Sequence, residues 1–464
     1  MLQASHRPFI MSARCLIIVA MFALVAGASA AYTSPNTTAH NVTFVGWAQQ
    51  NTNPQWVTRD SCGSVAFGVH PQTGVRRVLW TCRDTQPVNS NGTGILPITS
   101  NTAGWTDVID WQNITHGQKP YSAPVNVTQY ATYLKNNSYQ HPVGPAGNDP
   151  HQFYPQAPGL CNHPAGVCGG DVGRLALWPD TVPAVTQSFA NGTVRAYTIL
   201  KYAYLKKPVN RTATPSNYAL YRLDYVPTPE TSPMELPNVT LIDPYFRNGS
   251  IEAPFGDSGV LVAGGYYYAY GGHGVMQITR APIDQVENKT AYEYFYTDGR
   301  GWSSVNPGLN HNASAIMPKV LPQGTFYYSS AWKSFVVIFQ HPVDPYVEWR
   351  VQISTAPFAE GPWSTPVNLF TLVDYPWSHA YPYSVQANLG MTEQQDGSDI
   401  YVSCTFKEKL YWTPVWHMHF NATSHASEQQ PVAQGATRVR RHTRGGAHAA
   451  PSTHIAAAPA VQTA

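Results

Sequence analysis

Two aspartates in one short unit hold the clearest chemical potential of this chain. Residues 59–85 read RDSCGSVAFGVHPQTGVRRVLWTCRDT, so an Arg-Asp pair stands beside a cysteine at each end. With the turn at 70–74, the residue numbers of cross-strand partners sum to 144, which sets Cys62 against Cys82 and Asp60 against Asp84. Residues two apart on a strand share a face, so the cysteines and the aspartates project together. Directly opposed Cβ atoms sit about 4.5–5.5 Å apart, so a bridge here requires the closer, non-hydrogen-bonded kind of pair. Neighbouring carboxylates repel, which raises one pKa and leaves the other low. A protonated acid beside an ionised carboxylate is what cleavage of a glycosidic bond requires.

Other residues extend this set. Asp257 in NGSIEAPFGDSG precedes an apolar strand as Asp60 does, and Glu252 lies five residues earlier. Asp171 in CGGDVGRLALWPD is a further counterpart. Acids beside strands also cap turns or pair with arginine, and Arg59 and Arg83 are at hand for that role. Trp105, Trp111, Trp178, Tyr266 to Tyr268, Trp377 and Tyr383 are candidate stacking platforms for sugar rings, although most aromatics of such a chain serve packing. Arg59, Trp105, Trp178 and His379 form the expected substrate-binding set. No cofactor is called for; His273, His311 and His379 leave room for an axial structural ion such as calcium. His417 and His419 share a strand face but lack a third ligand, so they read as a structural pair.

One motif misleads. GDSG at 256–259 and the TTAH ending at His40 look like the nucleophile and histidine motifs of chymotrypsin-like proteases. His40 comes too soon after the leader for the strands that precede the histidine in that fold, and Val260 stands where a further glycine is usual.

The elements that must position the aspartates are strands. Short apolar runs rich in Tyr, Val, Phe and Trp alternate with Gly, Pro, Asn and Asp turns, as in SGVLVAGGYYYAYGG and SDIYVSCTF. A weak repeat of small residues, strand, tight turn and second strand begins near Asp60, Asp171, Asp257, Ala313 and Tyr383. The fourth unit starts with SAIMPKVL, and the second contains VGRLALWP followed by VRAYTILKYAYL. Five units predict an all-β, five-bladed β-propeller. Closure of the ring predicts that NVTFVGWA (41–48) joins the blade of LYWTPVWHMHF (410–420). In such a ring the start of each innermost strand lies near the axis on one face, which would bring Asp60 and Asp257 to a common pocket.

The chain ends set the context. Arg7 and Arg14 flank the apolar run CLIIVAMFALVA, and Ala28-Ser29-Ala30 offers a cleavage site, so 1–30 reads as a secretory signal peptide. The propeller is expected over 31–425, and 426–464 reads as a disordered basic, Ala-rich tail with a dibasic stretch at Arg440-Arg441. Thirteen N-x-S/T sequons, at Asn36, Asn41, Asn91, Asn113, Asn126, Asn136, Asn191, Asn210, Asn238, Asn248, Asn288, Asn312 and Asn421, predict surface glycosylation. A secreted protein, extracellular or cell-wall associated, is expected to bridge its cysteines. Cys62–Cys82 and Cys161–Cys168 are the expected pairs, with Cys404 buried and free. The formal charge of +2 comes from the arginines of the leader and tail; the body between them is net acidic, so no nucleic-acid footprint is present. No second apolar span follows the leader. The expected partner is a polysaccharide or other glycan met by a monomer, with no membrane involved.

The motifs RDSC, LWTCRDT, LALWPDTVP, APFGDSGVL and VQISTAPFAEGPW together resemble a secreted five-bladed β-propeller family of unknown function with mainly fungal members. That family is distantly similar to arabinanase- and xylosidase-like propeller glycoside hydrolases. The resemblance spans most of 45–420 and implies a glycan-active or glycan-binding propeller. Some relatives cleave furanosidic linkages such as those of arabinans with acids at the blade-one positions, which fall on Asp60 and Asp84 here. The expected activity is hydrolysis of a plant or microbial cell-wall polysaccharide, with Asp60 as base or nucleophile and Asp84, Asp257 or Glu252 as acid or pKa modulator. The hydrolase pattern spreads three carboxylates over three blades, and the sequence does not place the second and third. The alternative is a non-catalytic, glycan-binding or cell-wall-associated propeller.

Overall fold

In a computed structural model, the described residues are 40–50, 56–88, 99–107, 128–129, 152–157, 174–206, 210–211, 217–231, 235–321, 323–344, 348–372, 382–392, 395–407 and 411–420. The leader, the tail, Asp171, Cys161, Cys168, Trp111, Trp377 and His379 lie outside them, as do the sequons at 36, 91, 113, 126, 136 and 421. Of the remaining sequons, Asn41, Asn191, Asn238, Asn248, Asn288 and Asn312 are all exposed.

The alternating apolar strands assemble into a five-bladed β-propeller. Blade 1 contains Gly63–Val69, Arg76–Cys82 and Thr102–Asp107. Blade 2 runs from Ala184–Ser188 through Val194–Lys206 and Asn217–Tyr225 to Asn238–Asn248. Blade 3 starts with Gly259–Ala263, Tyr266–Gly271 and Gln277–Pro282, and blade 4 with Gly324–Ser329, Ser334–Asp344 and Glu348–Ala356. Blade 5 is built from Pro382–Asn388, Asp399–Lys407 and Pro414–Phe420, and His40–Trp47 completes it. His40 pairs with Phe420 and Phe44 with Trp416, so the first strand closes the ring on the last, as the sequence predicts.

Period-two alternation explains why the blades stack. Val336 and Ile338 face blade 5, where they pack with Val385, Ile400 and Val402. Val337 and Phe339 on the same strand face blade 3 and pack with Leu261, Tyr270 and Ile278. Equivalent layers lie between blades 1 and 2, 2 and 3, and 5 and 1. Arg76–Cys82, Tyr266–Gly271 and Asp399–Lys407 are therefore buried on both faces, and the core is a set of interblade layers rather than one central mass.

Two repeat boundaries differ from the sequence reading. The innermost strand of blade 2 is Ala184–Ser188; the more apolar Arg174–Trp178 pairs instead with the far half of Val194–Lys206. The innermost strand of blade 4 is Gly324–Ser329, and SAIMPKVL belongs to the connection before it. In both cases the apolar run that stood out in sequence packs beside the blade start instead of forming it.

Candidate functional site

The blade 1 hairpin keeps the expected register: Gly63 pairs with Thr81, Val65 with Leu79, and beyond the cysteines Arg59 pairs with Thr85. Cys62 and Cys82 form a disulfide with Cα atoms 4.1 Å apart, the short separation of a non-hydrogen-bonded pair. Cys404 is buried and free. Between the two ladders the backbone departs from regular pairing. Asp60 N–H donates to Asp84 O and Arg83 N–H donates to Asp60 O, while Ser61 adopts a left-handed φ of 49°. A serine in that region carries a conformational cost of order 1–3 kcal/mol, and such residues cluster at functional sites. Ser61 N–H is satisfied by Thr405 Oγ1 of blade 5, and its hydroxyl donates to Asp60 Oδ1 at 2.6 Å.

Asp60 is 6% exposed and Asp84 5% exposed. Burial raises the Asp60 carboxyl above its ordinary value; nearby Asp84 adds to this, while Arg83 and hydrogen bonds from Ser61 and Tyr383 oppose it. The hairpin thus brings Asp60 and Asp84 together as its register predicts. Asp84 Oδ1 accepts the indole N–H of Trp178 at 2.9 Å, which fixes that ring at the blade 1–blade 2 junction.

The other blades deliver their own inner-strand starts to the same place. Blade 2 supplies Asp180, which forms an ion pair with Arg83. Blade 3 supplies Asp257, whose Oδ2 lies 3.4 Å from Lys201 Nζ and whose charge acts on Arg83. Blade 4 supplies Gln323, donating to Asp180 Oδ1 at 3.0 Å. Blade 5 supplies Tyr383, whose phenol is pushed up by burial and by Asp60. Arg83, with its guanidinium 5.1 Å from the centre of the Trp178 ring, stands among four aspartates; burial lowers its pKa, and the surrounding carboxylates counter that only in part. Asp257 Oδ1 is buried with no hydrogen-bond partner among the described residues, an acceptor available to a ligand.

GDSG acquires a structural meaning here. Gly256 has φ 98°, and a Cβ on it would lie 2.8 Å from Ile199 Cβ, so only glycine makes the turn that aims Asp257. Ser258 is buried, its hydroxyl donating to Leu321 O, and His40 Nε2 lies 2.7 Å from Leu369 O on the outer strand of blade 4. Neither is placed as a protease triad member.

Other expected site residues lie elsewhere. Trp105 is 0% exposed; it packs on Phe67 and Tyr225 with Arg77 stacked 4.4 Å over it, and its N–H donates to Glu235 O. It belongs to the blade 1–blade 2 core, which corrects its reading as a sugar contact. Glu252 closes a turn onto Asn248 and pairs at 3.3 Å with Arg247, which is enclosed by Phe246, Phe255, Tyr292 and Tyr294. Its partner is this cage and not the aspartate cluster. Arg59 is buried beside Asp60, its carbonyl accepting from Thr413. His273 is an exposed turn residue and His311 packs against Tyr296, both in or after blade 3. His417 Nε2 lies 2.5 Å from Asp399 Oδ1, with His419 at 3.6 Å. No group of three or more metal-ligating side chains among the described residues has the geometry to hold an ion.

Asp180 is the member the sequence reading missed. Its signal was the segment WPDTVP, where prolines flank an acid just ahead of an inner strand, the same placement as Asp60 and Asp257.

Comparison with known proteins places the fold. No family model matches the sequence, and no curated protein is similar to it. A presumed hydrolase from Bacteroides ovatus ATCC 8483 superposes on 83% of this chain and 97% of its own, with a TM-score of 0.52 at 12% identity. An α-L-arabinofuranosidase from Podospora anserina, solved with cellotriose, aligns over 81% of this chain and 98% of its own at 10% identity and a TM-score of 0.37. An exo-β-1,3-galactanase from Phanerochaete chrysosporium, solved with β-1,3-galactotriose, aligns over 81% and 64% at 8% identity and a TM-score of 0.40. The first likeness is one of fold alone: the chain is a five-bladed β-propeller.

Proposed function

We infer that this chain is a secreted glycoside hydrolase acting on a neutral cell-wall polysaccharide, with arabinan-type furanosidic linkages as the first substrate class to test. One observation carries the reading: the inner strands of three consecutive blades each direct an aspartate, Asp60, Asp180 and Asp257, to one cluster around Arg83. Asp60 holds its proton to higher pH than an ordinary carboxyl and takes the acid role. Asp257, beside Lys201 and facing Arg83, takes the base role. This assignment reverses the role the sequence suggested for Asp60. Arg83 holds Asp180 in place, and Trp178, pinned by Asp84, offers a ring face to a sugar.

The test is release of reducing sugar from arabinan, xylan and galactan. Asp60→Asn and Asp257→Asn are each expected to lower release by about 10²–10⁴-fold, the usual worth of a general acid or base. Wild-type release should fall on the alkaline side as Asp60 loses its proton. Undiminished release by either variant refutes the assignment.

A second reading has its own support. Asp60 and Asp84 are almost sealed, and the Arg83–Asp180 pair neutralises itself internally, features that suit a glycan-binding propeller. Saturable glycan binding with no sugar released after long incubation selects that reading.

A further inference from the structure

The propeller axis holds a second site at the end opposite the aspartates. A cavity of about 900 Å³ opens there, lined by all five blades. Its walls are largely apolar, with Val65 from blade 1, Val182 and Val185 from blade 2, Leu261 from blade 3, Phe326 from blade 4 and Leu389 from blade 5. Polar side chains separate it from the carboxylate cluster. Thr325 Oγ1 donates to Gln386 Oε1 at 2.8 Å, Gln386 Nε2 reaches Asp180 O at 3.4 Å, and Ser64 Oγ donates to Asn388 Oδ1 at 2.8 Å.

Ser64, Thr325 and Gln395 add neutral polar groups to the lining, and a single charge breaks it. Lys333 is the one charged residue of the lining. It sits exposed at the mouth with φ 50°, in the turn between Gly324–Ser329 and Ser334–Asp344. That turn is anchored: Ser329 Oγ accepts Trp332 N–H and donates to Asp396 O of blade 5. Beside the lysine, Tyr328 and Phe335 meet edge to face with ring centroids 5.2 Å apart.

We propose that this cavity binds an apolar monocarboxylate, its hydrocarbon body among the apolar walls and its carboxylate at Lys333. The charge complementarity is specific, since one cation stands at the mouth of an otherwise uncharged lining. A neutral sugar would leave its hydroxyls unpaired against valine and leucine, whereas a hydrocarbon body gains from leaving water. Aryl and acyl carboxylates share this chemistry. The site is independent of glycan hydrolysis.

The test is calorimetric titration of the full chain with 1-naphthoate, decanoate and uncharged 1-naphthalenemethanol. A Kd of about 10–1000 μM is expected for at least one carboxylate, in keeping with ligand efficiencies for molecules of that size. Tighter binding of 1-naphthoate or of decanoate identifies an aryl or an acyl body. Lys333→Glu, a surface change, should weaken the carboxylate about tenfold and leave 1-naphthalenemethanol within twofold. Ala263→Trp, which places an indole in the cavity, should abolish both. Absence of saturable carboxylate binding up to millimolar concentration overturns the proposal, as does carboxylate affinity unchanged by Lys333→Glu.

Discussion

Arg83 is the residue on which the aspartate cluster depends, and its removal has a calculable signature. Arg83→Met keeps much of the side-chain volume against Trp178 but deletes the buried cation that faces Asp60, Asp84, Asp180 and Asp257. Breaking a buried pair from one side typically costs about 3–5 kcal/mol, because the remaining charge is left uncompensated. For a domain near 400 residues, with about 2.1 cal/mol/K of unfolding entropy per residue, each kcal/mol moves Tm by about 1 °C. A fall of about 4–6 °C is therefore expected at pH 7.5. The sign of the pH dependence follows from linkage. Arg83 holds the Asp60 carboxyl down, so without it that carboxyl rises further above its unfolded value, the folded form binds more protons and stability drops as pH rises. Asp60 already lies on that side in the intact protein, because burial raises it from 3.8. The deficit should accordingly be smaller at pH 4.5 than at pH 7.5, as the raised Asp60 carboxyl takes up its proton in the fold. Thermal denaturation of both proteins at the two pH values decides the matter. An equal deficit at both, or a variant more stable than the parent at pH 7.5, refutes the electrostatic account of the cluster.

Trp105→Ala should lower stability by about 3–5 kcal/mol in urea titration, with glycan affinity unchanged in the folded fraction, because the ring is core and not pocket. The double variant Cys62→Ala, Cys82→Ala opens a loop of sequence separation 20 and should cost about 3 kcal/mol, read as a drop in Tm of about 4 °C; no drop would mean the hairpin register alone holds Asp60.

Local pairing was legible in the sequence and global placement was less so. The Cys62–Cys82 register follows from a short turn and period-two geometry, both properties of one hairpin. Ring closure followed from the propeller itself, which requires the first strand to join the blade of the last. Asp180 escaped because its strand, AVTQS, is short and half polar, while LALW just upstream carries the stronger apolar signal and pairs elsewhere. Glu252 misled because five residues from Asp257 is near in sequence, yet a turn at Asn248 carries its side chain to Arg247. Trp105 misled because strand alternation states that a side chain faces one side or the other, not which side a neighbouring blade will cover.

The closing strand has a consequence for how the chain is made. His40–Trp47 emerges first from synthesis and finds its partner, Pro414–Phe420, almost last. Until then blade 5 has an open edge, and an open edge is a template for any other strand nearby. Asn41 and Thr43, both exposed on that strand, belong to one glycosylation sequon, so a bulky saccharide attached there would shield the waiting edge against a second nascent chain. The same geometry makes the first strand separable in principle: a free peptide spanning 40–47 is the natural complement for a ring that lacks it.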